Sequence, residues 1–157
     1  MKLLVVGQGE VADALAPMAE LLGWGTTVVA TLDDLAAALQ NTQAVVVTSH
    51  DDEVDAAAIG AALRSDAVYV GAMGSRTRQA RRRTWLLDNG FSESELGRVH
   101  GPAGLDIGAN SPAEIALSIL AELVAVARGV PAPGSLKGGD GPIHPDLPPG
   151  TTYTPEG

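Results

Sequence analysis

The stretch KLLVVGQGEVADALAPMAELLG, Lys2 to Gly23, decides the architecture. One lysine and a run of four apolar residues lead directly into Gly7-Gln8-Gly9, and a helical pattern then runs from about Val11 to Leu22 and stops at Gly23. A buried strand that turns through glycines straight into a helix is how a parallel βαβ unit begins.

Outward from that unit the same alternation repeats. TTVVAT reads as a second strand and LDDLAAALQ as a short helix; AVVVTS, Ala44 to Ser49, is a third strand and EVDAAAIGAALRS the next helix. AVYVGAMG is a fourth strand, leading into an arginine-rich helix that ends near Asn89 and Gly90. The fifth repeat is irregular. RVHGPAGLDIGANS carries few apolar residues and several glycines before a strongly marked helix, Pro112 to Arg128. Ser111 can cap that helix, Pro112 suits its first turn, Glu114 stands where a capping box places its carboxylate, and Gly129 with Pro131 closes it. Short β-branched runs alternating with helices predict an α/β fold. We expect a Rossmann-like, doubly wound, mainly parallel sheet in three layers, α/β/α, with right-handed crossovers.

At 157 residues the chain suits one domain. The expected division is residues 1–128 as that domain and 129–157 as a tail, because seven glycines and seven prolines fall in the last 29 residues with almost no periodic apolar pattern. The absence of cysteine excludes disulfides, thiolate catalysis and Cys-ligated zinc. Ten basic against 19 acidic residues argue against a general nucleic-acid surface, which needs cations to meet phosphates. The N-terminus has too short an apolar run for a signal peptide or a membrane span, so a cytoplasmic protein without a membrane partner is expected. Three scattered histidines form no metal-binding pattern.

Gly7, Gly9 and Ala12 spell G-x-G-x-x-A between the first strand and helix. Glycine permits the tight turn and close backbone approach, and the helix start offers free N–H groups and a positive dipole end to a diphosphate. Two details oppose an ordinary NAD(P) site. Val29, Ala30 and Thr31 stand where an acid should meet the ribose, with Asp33 and Asp34 late, and Glu10 puts a carboxylate into the loop. A plain strand-to-helix turn with no ligand is the alternative reading of these glycines.

Three further segments carry a specific pattern: T-x-H-D at Thr48 to Asp51, Y-V-G-x-x-G-S-R at Tyr69 to Arg76, and H-x-P-x-G-L-D-I-G-A-x-S-P-x-E-I at His100 to Ile115. With the glycine turn, they resemble the Rossmann domain of the XdhC/CoxI family, accessory proteins of molybdenum hydroxylases such as xanthine dehydrogenase and carbon monoxide dehydrogenase. The resemblance covers about Met1 to Arg128. It implies a protein that binds the molybdenum pterin cofactor, in its simple or its dinucleotide form, protects it and assists its insertion into an apo-hydroxylase. No catalytic residue is implied, and a chaperone is expected rather than a catalyst. Fuller family members carry an additional N-terminal domain, whereas the first strand here begins at Lys2, so a homodimer or a separate partner chain is expected to replace it. The family's glycine loop usually has histidine where this chain has Glu10.

The candidate cofactor-binding residues are Gly7, Gly9, Ala12, His50, Asp51, Gly71, Gly74, Ser75, Arg76, Gly104, Asp106 and Gly108. Arg76 would lie in the first helical turn beyond a strand end, where open α/β sheets bind ligands, and with the Gly74 and Ser75 amides it could cradle an anion. Its alternative is a salt bridge to Asp51 or Asp106. For Asp106, bracing the glycine loop by accepting backbone N–H bonds is the alternative to ligand contact. Helical phasing of the arginine stretch puts Thr77, Ala80, Thr84 and Leu87 against the sheet, Arg76 and Arg83 at the edge of that face, and Arg78 and Arg82 in solvent. Arg81 is left open. Two functions from other classes compete with the chaperone: an NAD(P)-dependent oxidoreductase and a nucleotide-responsive regulatory module.

Overall fold

A computed structural model describes residues 1–138; the rest of the predicted tail, 139–157, lies outside the described residues. Five strands, β1 (Lys2–Val6), β2 (Gly25–Val29), β3 (Ala44–Val47), β4 (Tyr69–Ala72) and β5 (Val99–His100), pair in parallel in the order β2-β1-β3-β4-β5. The helices are α1 (Glu10–Leu21), α2 (Leu35–Ala38), α3 (Asp52–Leu63), α4 (Arg76–Asp88), α5 (Glu93–Leu96) and α6 (Pro112–Ala127). The sheet is the predicted parallel α/β architecture.

Pleating divides each apolar strand between two cores. Leu3 and Val5 of β1, with Ala44, Val46 and Tyr69, face α1 and α6, meeting Leu15, Ala19, Ile119 and Leu123. Leu4 and Val6, with Val45, Val47 and Val70, face the other way onto Ile59, Ala62 and Leu63 of α3 and Leu86 of α4. Full burial of each such side chain contributes about 1.5–3 kcal/mol. The α1–α6 layer joins the N-terminal helix to the C-terminal one across the face of β1.

The capping box at Ser111 and Glu114 is present, with Pro112 in the first turn of α6. A second capping box, Ser92 with Glu95, starts α5, a helix that the apolar periodicity did not reveal although its S-x-x-E signal stands in the sequence. Residues 131–137 are exposed.

The arginine helix is phased differently from the sequence expectation. Thr77, Ala80 and Thr84 are exposed, whereas Arg82 is 2% exposed and Arg78 is half-buried. Leu86 sets the phase, because it alone of the helix enters the core beside Phe91. Arg82 and Arg78 stand four and eight residues before it, and residues at that spacing share a face.

Candidate functional site

The strand order reverses between β1 and β3: from β1 the chain passes to β2 on one side and afterwards to β3 on the other. Open α/β sheets form a crevice at such a point, at the carboxyl ends of the strands. Here the crevice lies between the Gly7–Gly9 turn and the Thr48–Asp51 turn.

The two glycines of the first turn do different work. Gly7 is buried, has φ 120°, and donates its N–H to the Val29 carbonyl at 2.8 Å. A Cβ on it would lie 2.5 Å from the Ser49 backbone nitrogen and 2.8 Å from Thr48 Oγ1. Its role is close backbone packing of β1 against the end of β3. Gly9, with φ 121° and ψ 180°, is the N-cap of α1, and nothing lies within 4 Å of where its Cβ would be. With no side chain capping them, the first-turn N–H groups of α1 face open space at Gly9. A cavity of about 150 Å³ opens there, lined by Gln8, Gly9, Glu10, Val11, Ala12, Thr48, His50, Met73 and Pro112. So the structure brings Gly9, Ala12 and His50 together and adds Met73 and Pro112, neither of which was among the candidate binding residues. Both sit one residue past recognisable boundaries, the end of β4 and the Ser111 cap.

Asp51 caps α3, its Oδ1 accepting from the Glu53 and Val54 N–H groups at 3.0 and 3.2 Å. Ser75 caps α4 by accepting from Arg78 N–H at 3.3 Å. Gly74, with φ 118°, precedes it, and Gln79 Nε2 donates to the Ala72 carbonyl at 2.9 Å and to those of Met73 and Gly74 at 3.3 Å. Arg76 is exposed and has neither a hydrogen bond nor an ion pair among the described residues, so the salt bridge to Asp51 or Asp106 is not made.

Arg78 and Arg82, expected in solvent, instead turn inward to the acidic start of α3. Arg78 Nε donates to Asp52 Oδ1 at 2.9 Å and Nη2 to Asp55 Oδ2 at 3.3 Å, while its Nη1 lies 3.3 Å from His50 Nδ1. Arg82 donates to the fully buried Asp55 and to the Met73 carbonyl. The hydrogen bond from Arg78 holds the Asp52 carboxyl below its ordinary range. Arg81 makes a 3.5 Å contact to Asp52, and Arg83 pairs with Glu93. Four of the five clustered arginines thus answer acids of the same chain, leaving Arg76.

The third loop is held from below. Tyr69 Oη donates to Glu122 Oε2 at 2.6 Å, the Gly104 N–H donates to the same oxygen at 3.0 Å, and the His100 ring stacks on Tyr69 with centroids 4.7 Å apart. Burial raises the Tyr69 phenol well above its ordinary pKa, with the Glu122 carboxylate adding to the shift. Gly71 lies within β4, and a Cβ there would meet the Tyr69 ring at 2.7 Å. At Gly104 a Cβ would be 2.4 Å from Ser118 Oγ. Asp106 and Gly108 are exposed, and Asp106 has no partner among the described residues.

A larger cleft, about 270 Å³, lies outside every sequence expectation, between α4, α5 and β5, with Ile59, Leu86, Leu96 and Val99 as its apolar walls. Among the described residues no helix is long and apolar enough to cross a membrane.

Comparison with known proteins gives this geometry its context. The chain is 28% identical over 127 residues to the molybdenum cofactor insertion chaperone PaoD of Escherichia coli K12, covering 80% of this chain and 40% of that one. It is 26% identical over 168 residues to the uncharacterized protein YqeB of the same organism, covering 92% and 30%. The chain thus spans less than half of these relatives. A crystal structure described as a xanthine dehydrogenase from Bacillus halodurans superposes with a TM-score of 0.65 at 25% identity, covering 82% of this chain and 43% of that one. The sequence profile of the XdhC Rossmann domain matches residues 3–123, and the chain belongs to that family.

Proposed function

We propose that the protein binds the molybdenum pterin cofactor at the β1–β3 crevice, holding its phosphate-bearing end, and assists its insertion into a molybdenum hydroxylase. The observation that carries this reading is the open turn at Gly9, with no side chain capping α1, in a chain whose Arg76 guanidinium has no partner among the described residues at the same sheet edge. The insertion role rests on family membership and on the likeness to the PaoD chaperone. A cytoplasmic location and a hydroxylase partner follow from the same reading.

Size favours a phosphate over the whole cofactor in the small cavity. Drug-sized ligands occupy pockets of about 300–1,000 Å³, and the cavity at Gly9 measures about 150 Å³. A phosphate would accept N–H donors from the first turn of α1. The pterin would extend over the exposed edge toward His50, and Arg76 would supply a planar, two-pronged donor. Glu10 stands in the first turn with its carboxylate, so binding should be weaker than in a neutral loop. When bound, the cofactor brings the molybdenum chemistry of the recipient enzyme; the residues here hold it, exclude competitors and let it go. Release to a partner requires modest affinity, which an open and partly acidic site provides.

Isothermal titration with molybdenum cofactor released from a purified hydroxylase tests this. Binding is expected, and Arg76→Ala should weaken it roughly tenfold, the loss of a charge-assisted hydrogen bond. Arg81→Ala, altering an exposed and already paired charge, should change it by less than about threefold. Equal losses in the two variants would indicate a diffuse basic patch and sink the specific cradle. NADH and NADPH run in parallel test the two nucleotide-binding alternatives. Tight NADH binding without cofactor binding would overturn the cofactor site, and only oxidation of that NADH by an acceptor would then favour the oxidoreductase over the regulatory module.

A further inference from the structure

The buried Asp55–Arg82 pair is expensive for what it stabilises. Asp55 is fully buried and Arg82 is 2% exposed, yet Asp55 Oδ1 and Arg82 Nε have no hydrogen-bond partner among the described residues. Desolvating two charges costs several kcal/mol each, which their attraction offsets fully only when the remaining lone pairs and protons are satisfied. Stability alone therefore does not account for the pair.

Geometry does. The Arg82 guanidinium joins three elements at one point: its own helix α4, the first turn of α3 through Asp55, and the end of β4 through the Met73 carbonyl. The turn carrying His50 leads into α3, and the turn carrying Gly74, Ser75 and Arg76 joins β4 to α4. Met73 itself lines the cavity at Gly9. Arg78 reinforces the junction by reaching Asp52, Asp55 and the edge of His50. A planar fork with fixed donor directions sets spacing in a way that an apolar contact does not.

We propose that Asp55 and Arg82 are positioning residues that set the β4–α4 turn, and with it Arg76, against the glycine turn of the cofactor crevice. The pair touches no ligand. This inference rests on the function proposed above and assigns to it the part of the chain that fixes the binding geometry.

The test replaces both charges, Asp55→Leu with Arg82→Met, so that no buried charge is left alone and apolar packing fills the site. Gln79 still reaches the Met73 carbonyl at 3.3 Å. The double variant is expected to melt within a few degrees of the parent, while exchange of the Met73 N–H, which donates to the Val47 carbonyl at 2.9 Å, and of the Arg78 N–H, which donates to Ser75 Oγ at 3.3 Å, accelerates about tenfold or more and that of α1 does not. Affinity for the released molybdenum cofactor should fall by about tenfold as well, the same loss as Arg76→Ala. A stable double variant with parental exchange and affinity overturns the proposal. Arg82→Lys is the second variant if the double one does not fold. It keeps the charge beside Asp55 but cannot also reach Met73 with a fixed fork, so exchange of the Met73 N–H, bonded to the Val47 carbonyl, should rise; parental exchange there overturns the proposal too. A parent protein that binds no cofactor overturns the proposed function and the binding part of this inference, and the exchange rates still decide whether the pair holds the turn.

Discussion

At the scale of single residues, two glycines with nearly the same φ differ in what they tolerate. Gly7→Ala forces a Cβ onto the Ser49 backbone 2.5 Å away, and backbone cannot step aside, so loss of the cooperative fold is expected. Gly9→Ala meets no atom and is charged only for its backbone conformation, about 1–3 kcal/mol. Urea unfolding of the two variants checks this, and a Gly9 variant as unstable as the Gly7 one would contradict it. The G-x-G-x-x-A spacing was legible in the sequence, but the division of labour was not, because it depends on Ser49, which β3 brings alongside β1 from far along the chain. Gly71 teaches the same lesson. It stands inside a recognisable motif, and its missing Cβ makes room for the ring of Tyr69, two residues earlier on the same strand face.

Between elements, the decisive contact is α3 against α4, which sequence periodicity misphased. The arginine helix offers too few apolar residues to define a face, and threonine and alanine imitate one; phasing backward from Leu86 would have pointed to Arg82 and Arg78. Arg82→Met alone leaves the buried Asp55 carboxylate with only the 3.3 Å contact from Arg78 and should cost up to about 3–5 kcal/mol. The matching Asp55→Leu change should recover most of that, a difference visible in denaturant midpoints. Helix starts add an acid-dependent component. Hydrogen bonds from the Ser111 and Asn110 N–H groups depress the Glu114 carboxyl below its ordinary value of 4.5, as Arg78 depresses Asp52 below 3.8. A carboxyl with a lowered folded pKa contributes stability that is complete above its unfolded value and disappears as pH falls through the folded one. Stability should hold above about pH 5 and decline below pH 4, with a shallower decline in Glu114→Gln; an identical acid limb in that variant would exclude the capping box as a source.

Across the whole molecule, the alternation of strands and helices carried the parallel sheet, its two cores and the carboxyl-end edge at which the β1–β3 crevice opens. Pro112 and Met73 escaped because a cavity wall is defined by loops converging in space. The Pro/Gly tail belongs to the expectations. The last turn of α6 is closed by the Gly129 and Val130 N–H groups on the Val126 and Ala125 carbonyls, and the residues from 131 to 137 are exposed. Truncation after Val130 should therefore shift the melting temperature by no more than about 2 °C, equivalent to at most about 1 kcal/mol; a larger loss would show that the tail packs on the domain. The α1–α6 layer has a consequence for biosynthesis. During translation α1 emerges roughly 90 residues ahead of α6, a delay of about 5–20 s at ordinary elongation rates. Throughout that interval Leu15 and Ala19 of the nascent chain have no Ile119 or Leu123 to cover them. A ribosome stalled before α6 would display the glycine turn of α1 without Pro112, so the cavity at Gly9 gains its last wall only once α6 has been made.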